Sequence, residues 1–128
     1  MHSDIISDLL TRIRNASRAG LNTVEARYSN ICLALCDILV KEGYVEKAKK
    51  GKDANGFENI TITLLPNMKD LQLKRISKPG QRIYANANKI PHVLNGLGIS
   101  IVTTSKGLMT GTEAKVEGLG GEILCEIW

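Results

Sequence analysis

The sequence predicts an α+β protein built as two small lobes, and three observations carry that prediction. Two segments of the first half place apolar residues at helical spacing. Ile60-Thr61-Ile62-Thr63-Leu64 alternates as a half-buried strand does, and Pro66-Asn67-Met68-Lys69-Asp70 breaks the composition between the halves. The expected lobes are residues 1–66, ordered helix, strand, helix, hairpin, and residues 67–128, mostly β with short helices.

Ile5, Ile6, Leu9, Leu10 and Ile13 fall on one helical face, with Ser3 as the N-cap and Asp4 and Asp8 near the positive end of the dipole. The helix should end near Gly20, with Arg12, Arg14, Asn15 and Arg18 on its flanks and back. A short extended piece, Thr23 to Tyr28, precedes Ser29, which caps a second helix with Ile31, Ala34, Leu35, Ile38 and Leu39 inward and Gly43 as its stop. Tyr44 to Ala48 reads as a strand, and the cluster from Lys49 to Gly56 as a hairpin loop whose lysines form a solvated tip. The alternating strand at Ile60 closes this lobe.

In the second lobe, Leu71 and Leu73 alternate into Arg75-Ile76, and Ser77-Lys78-Pro79-Gly80 supplies a Pro-Gly turn before the extended Arg82-Ile83-Tyr84. Pro91 suits the first position of a short helix ending at Gly96. Ile99 to Val102 is a buried strand that runs into Thr103-Thr104-Ser105-Lys106-Gly107. That polar loop offers hydroxyl donors and acceptors, a phosphate-seeking lysine and a glycine that allows close approach. Thr110 and Glu113 form a capping-box pattern for a helix from Gly111 to about Glu117, stopped by Gly118, and Gly120-Gly121 releases a terminal strand over Glu122–Ile127.

Composition narrows the function classes. No apolar run approaches the roughly 18 residues of a membrane helix, and Met1-His2-Ser3-Asp4 has no leader pattern, so the expected location is the cytoplasm with no membrane partner. The cysteines at 32, 36 and 125 are odd in number, which fits a reducing compartment better than a disulfide framework. Cys32 and Cys36 would share a helix face as buried or half-buried thiols; with His2 and His92 far off in sequence, no metal set is expected, and no cofactor motif is present. Ser105 and Lys106 do not make a nucleophile and base, because adjacent residues on an extended segment point apart and no Gly-x-Ser-x-Gly or Ser-x-x-Lys context surrounds them. The expectation is therefore no catalytic residue and no enzyme.

Charge is uneven along the chain. Residues 1–66 carry nine basic and eight acidic side chains, whereas residues 69–106 carry seven basic ones against Asp70 alone. Such an excess suits a polyanion, although a solvated basic surface would look the same at this level. Turn glycines, Tyr84 and the hydroxyl loop suit the 2′-hydroxyl-lined groove of folded RNA. The low aromatic content of 4% disfavours a stacking platform for single strands.

Five ordered segments then carry a resemblance. They are Thr11-Arg12-Ile13-Arg14-Asn15-Ala16, Ser77-Lys78-Pro79-Gly80-x-Arg82-Ile83-Tyr84, Gly96-Leu97-Gly98-Ile99, the Thr-Thr-Ser-Lys-Gly loop, and Gly118-Leu119-Gly120-Gly121-Glu122-Ile123. The chain resembles, over nearly its whole length, the bacterial-type family of small-ribosomal-subunit protein number eight. The resemblance implies a two-lobed structural protein that binds the central domain of small-subunit ribosomal RNA beside neighbouring small-subunit proteins and helps organise subunit assembly. It also implies residence in the ribosome of the cytoplasm, or of an organelle stroma or matrix. Bacterial members commonly also bind their own operon messenger RNA and repress its translation.

On this resemblance the RNA-binding residues are Thr103, Thr104, Ser105, Lys106 and Gly107, with Tyr84, Glu122, Lys78 and Arg82 in the motifs around them and Arg12, Arg14 and Asn15 in the first lobe. Three departures stand out. Thr103 replaces a serine and keeps the hydroxyl, Arg27-Tyr28-Ser29-Asn30 replaces Pro-Ser-Ser-Lys and so leaves the family's lysine contact without its residue, and Ile5 replaces a proline. A repressor or general RNA-binding module acting off the ribosome is the principal rival reading, and a small hydrolase a distant third.

Overall fold

The computed structural model describes residues 4–66 and 71–128, which group into two units, 5–71 and 72–128 with Asp4. Ser3 and His2, the break at 67–70 and Lys69 lie outside the described residues. The architecture is α+β in both units, each with its own antiparallel sheet.

The first unit begins with α1 (Ile5–Ala19), which buries Ile6, Leu9, Leu10, Ile13 and Ala16. Strand β1 (Thr23–Arg27) follows, then α2 (Asn30–Lys41), whose Ser29 cap accepts the Cys32 N–H at 3.1 Å. The inward face of α2 is rotated from the expected one: Cys32, Leu35, Cys36 and Leu39 are fully buried, while Ile31 and Ala34 are only half-buried. The thiols behave as apolar side chains, and the Cys32 Sγ lies 3.9 Å from the Ile5 carbonyl of α1.

Strand β2 is Lys47–Lys52 and β3 is Glu58–Thr63, paired with β3 in the centre of the order β1-β3-β2. This corrects the sequence expectation: Lys49, Lys50 and Lys52 lie in a strand, and the loop is only the turn at 53–57. Asp53 Oδ1 closes that turn by accepting the N–H groups of Asn55 and Phe57, each at 2.9 Å. It adds to the backbone bonds of the tip, Asp53 N–H to the Phe57 carbonyl at 2.9 Å and Gly56 N–H to the Asp53 carbonyl at 3.0 Å, above a ladder that runs to Lys52↔Glu58. Ala26, Ile60 and Ile62 point to the helices and are buried.

The second unit carries β4 (Leu73–Arg75), β5 (Tyr84–Ala85), β6 (Ile99–Thr104), β7 (Gly107–Thr110), α3 (Gly111–Glu117) and β8 (Gly121–Ile127). The sheet order is β4-β8-β6-β7, with β5 also on β8. The core gathers Ile90, Val102, Met109, Ala114 and Ile123. Two expectations fail here. No helix spans 91–96: Ile90, held extended by the proline after it (ψ 121°), separates a 3-10 turn at Ala87–Lys89 from a tight turn at Leu94–Gly96, where Leu94 and Asn95 adopt φ of 48° and 54°. The hydroxyl segment is also half strand, since β6 runs through Thr104 and pairs with the unforeseen β7, whose Leu108-Met109 is too short an apolar run to signal itself.

Helices α1, α2 and α3 close the same way, with a glycine in the left-handed region after the last turn (Gly20 φ 72°, Gly43 φ 82°, Gly118 φ 70°). The Thr110 cap of α3 forms as the spacing predicts: Thr110 Oγ1 accepts the Glu113 N–H and donates to the Glu113 carboxylate, both at 3.2 Å.

Candidate nucleic-acid interface

The second unit brings several of the sequence-predicted residues onto one surface. Because antiparallel partners share a sheet face, the register Tyr84↔Glu122 and Glu122↔Thr103 sets these side chains in a row across β5, β8 and β6. Their neighbours Val102 and Ile123 point the other way into the core. Tyr84 stands 69% exposed, so its ring and hydroxyl are both presented to solvent.

At the end of this row, Thr104 and Gly107 close a hairpin around Ser105 and Lys106. Neither Ser105 nor Lys106 has positive φ, and Gly107, at φ 102°, absorbs the reversal instead. Thr104 Oγ1 accepts the Lys106 N–H at 3.1 Å and donates to the Gly107 carbonyl at 2.9 Å. Its hydroxyl is therefore spent on the turn, leaving Ser105 as the exposed hydroxyl at the tip. The ammonium of Lys106 is 3.8 Å from Glu117 with both side chains largely exposed, an ion pair that water screens.

Glu122 occupies a different chemical position from the other members. Its side chain is 9% exposed, and Arg82 Nη1 meets its carboxylate at 3.1 and 3.4 Å. The pair braces β8 beside Tyr84. The preceding turn is braced as well: Lys78 and Gln81 exchange both backbone hydrogen bonds at 2.9 Å, and the fully buried Ser77 hydroxyl accepts the Ile83 N–H at 2.6 Å and donates to its carbonyl at 3.2 Å. Lys78 lies exposed at the mouth of that turn.

Beside the row opens a hollow of about 660 Å³ lined by Tyr84, Ala85, Asn86, Lys89, Gly120 and Gly121. Both glycines are required by close approach. A Cβ on Gly120 would sit 2.5 Å from the Ala85 carbonyl, and one on Gly121 would collide with the Thr103 carbonyl. Asn86 and Lys89 were not singled out from the sequence as site residues, although the polar tail after Tyr84 was a signal that they border the same surface.

The basic window is weaker in space than in sequence. Arg75 Nε is 3.1 Å from Asp4, Arg75 Nη1 donates to the Leu124 carbonyl at 2.7 Å, and its side chain is only 11% exposed. Asp4, Glu117 and Glu122, all outside residues 69–106, thus answer Arg75, Lys106 and Arg82. Lys74, Lys78 and Lys89 remain exposed or half-exposed cations with no ion pair among the described residues.

Arg12, Arg14 and Asn15 lie on α1 of the other unit. Arg12 pairs with Asp8 at 3.0 Å one helical turn away and reaches the Glu25 carbonyl at 3.4 Å. Asn30 Oδ1 accepts the Tyr28 hydroxyl at 2.5 Å, and Tyr28 in turn lies 4.2 Å beneath the Lys50 ammonium. Cys32, Cys36 and Cys125 are buried and in no disulfide, and the described residues hold no cluster of metal-ligating side chains. Burial pushes the Cys36 and Cys125 thiols up to about 12 each.

Sequence comparison adds a second line of argument. The family model described as ribosomal protein S8 matches residues 4–128. Small ribosomal subunit protein uS8 of Mycoplasma mycoides subsp. mycoides SC is 47% identical over 129 residues, covering 100% of both chains. That of Caldanaerobacter subterraneus subsp. tengcongensis is 48% identical over 129 residues, covering 98% of each, and uS8c of Spinacia oleracea is 43% identical over 135 residues, covering 100% of both. With a family match over nearly the full length and relatives of this identity, the chain belongs to the ribosomal protein S8 family and is not an enzyme.

Proposed function

We propose that this protein is a structural constituent of the small ribosomal subunit that binds the central domain of small-subunit RNA and helps order its assembly. The observation that carries the reading is the row Tyr84, Glu122, Thr103 ending in a hairpin that exposes Ser105 and Lys106. An exposed aromatic edge, a free hydroxyl and a cation on one rigid sheet suit an irregular RNA helix, where 2′-hydroxyls and unpaired bases are accessible. Buried Glu122 and Arg82 act by holding this surface in shape, and Thr104 and Gly107 by holding the turn. Lys78 supplies charge at its border. Arg12, Arg14 and Asn15 contribute backbone contacts from the first unit, of the kind that position an RNA without reading it.

The same surface accepts a matching structure in the protein's own operon messenger RNA, and neighbouring small-subunit proteins are its protein partners. Chemical footprinting on the protein's own small-subunit RNA tests the reading. Protection confined to one central-domain helix, together with co-sedimentation with small subunits at high salt, is the expected outcome. Uniform protection along the RNA would place the protein among general RNA binders.

A further inference from the structure

The edge strand β2 sorts its lysines by face. Lys50 points to the helix side, where Glu58 lies 3.7 Å away and the Tyr28 ring 4.2 Å away, so its charge is already answered. Lys47 and Lys49 point to the opposite side, and neither has an ion pair among the described residues. Their partners across β3 are Thr63 and Thr61, half-buried hydroxyls at the centre of the sheet. On β1 the same face presents Arg27, also without an ion pair among the described residues, and Glu25 as its only acid. Neither α1 nor α2 covers this side, because both pack on the face that carries Ala26, Ile60 and Ile62.

We propose that this outward face of the first unit's sheet is a second RNA contact surface, on which Lys47, Lys49 and Arg27 meet phosphates and Thr61 and Thr63 bond to the sugar–phosphate backbone. The proposal rests on the reading of the protein as an RNA binder and adds a surface on the first unit, whereas the Tyr84 row belongs to the second. Three cations against one acid give the charge complementarity. Lys47 and Lys49 are about 7 Å apart along the strand, a spacing that lets each take its own phosphate. Lysines on an edge strand also guard against edge-to-edge association, but guarding requires neither the arginine on the opposite edge strand nor hydroxyls between the two.

The test compares the wild-type protein, the double variant Lys47→Ala/Lys49→Ala and Lys50→Ala for binding to a transcript of the small-subunit central domain as salt is raised. The double variant should lower the log–log salt slope by about 1.4–1.8, the share of two phosphates. It should weaken cognate and mismatched transcripts equally and leave Tm and the monomeric state unchanged. Lys50→Ala should keep the wild-type slope. An unchanged slope in the double variant overturns the proposal, and if that variant also self-associates in light scattering, the lysines are edge guards. Ser105→Ala and Lys106→Ala measured alongside separate the two readings. If they alter binding and the double variant does not, only this surface fails; if the wild-type protein binds no RNA, both fail.

Discussion

Arg82 and Glu122 meet at 3.1 Å with the carboxylate almost wholly buried and the guanidinium half in water, their side chains being 9% and 52% exposed. The asymmetry decides what the pair does. A lone carboxylate at that depth would be poorly solvated, whereas the arginine could return to water without loss. Arg82→Ala should therefore lower stability by about 1–3 kcal/mol, and Glu122→Gln added to it should recover most of the loss in urea unfolding. Additive losses would show that the two side chains act independently.

The close passage of β8 against β6 gives a second prediction. Gly121→Ala forces a methyl group into the Thr103 carbonyl, so the strands must part and stability should fall by about 1–3 kcal/mol, with RNA affinity lost in parallel. Gly51→Ala is the control: its Cβ would meet only Asn59 Oδ1 at 3.6 Å, an ordinary contact. Thermal unfolding should place that variant within about 0.5 kcal/mol of wild type.

The hairpin tip separates turn-building from recognition. Thr104→Val removes two hydrogen bonds inside the turn and should lower Tm. Ser105→Ala should leave Tm unchanged but reduce discrimination between cognate and mismatched RNA helices by about 1–3 kcal/mol. Lys106→Ala should weaken both RNAs together and lower the salt slope by about 0.7–0.9. If Ser105→Ala lowers Tm and keeps the cognate-to-mismatch ratio, that hydroxyl serves the fold.

Stability should also fall in alkaline solution. Cys36 and Cys125 are held neutral to about 12, by burial first in both cases, with Cys32 and Asp37 adding to the effect at Cys36, and with Arg75 working against it and Glu126 adding a smaller push at Cys125. The unfolded thiols ionise near 8.5, so above that pH the unfolded state binds fewer protons than the native one. The free energy of unfolding should then decline by up to about 1.4 kcal/mol per pH unit for each thiol, and Cys36→Ser/Cys125→Ser should flatten the profile measured in urea.

What the sequence made legible follows from whether the deciding signal is local. The α3 cap needs only Thr110, Glu113 and Gly118, all within one short segment, and it forms as read. The inward face of α2 depends instead on contacts with distant segments: Cys32 lies against the Ile5 carbonyl of α1, and Ile31 and Ala34 are left half-buried. The basic excess over residues 69–106 was a property of the linear chain. Asp4, Glu117 and Glu122 reduce it in space, and only pairing across distant segments could reveal that. Within the candidate surface, Tyr84 and the hairpin residues were visible, whereas the role of Arg82 required β8 to bring Glu122 beside β5, within the register of β5, β8 and β6, and the spent hydroxyl of Thr104 required the β6–β7 hairpin.

That register has a consequence for how the chain matures during synthesis. Strand β8 is the shared partner of β4, β5 and β6, yet it is translated after all of them. Until Gly121–Ile127 has left the exit tunnel, those strands present open hydrogen-bonding edges with no centre to pair on, while the helices and hairpin of residues 5–71 are already complete. The first unit can form while the second is still being made; the row that joins Tyr84 to Thr103 comes into being only once β8 is available to bridge β5 and β6.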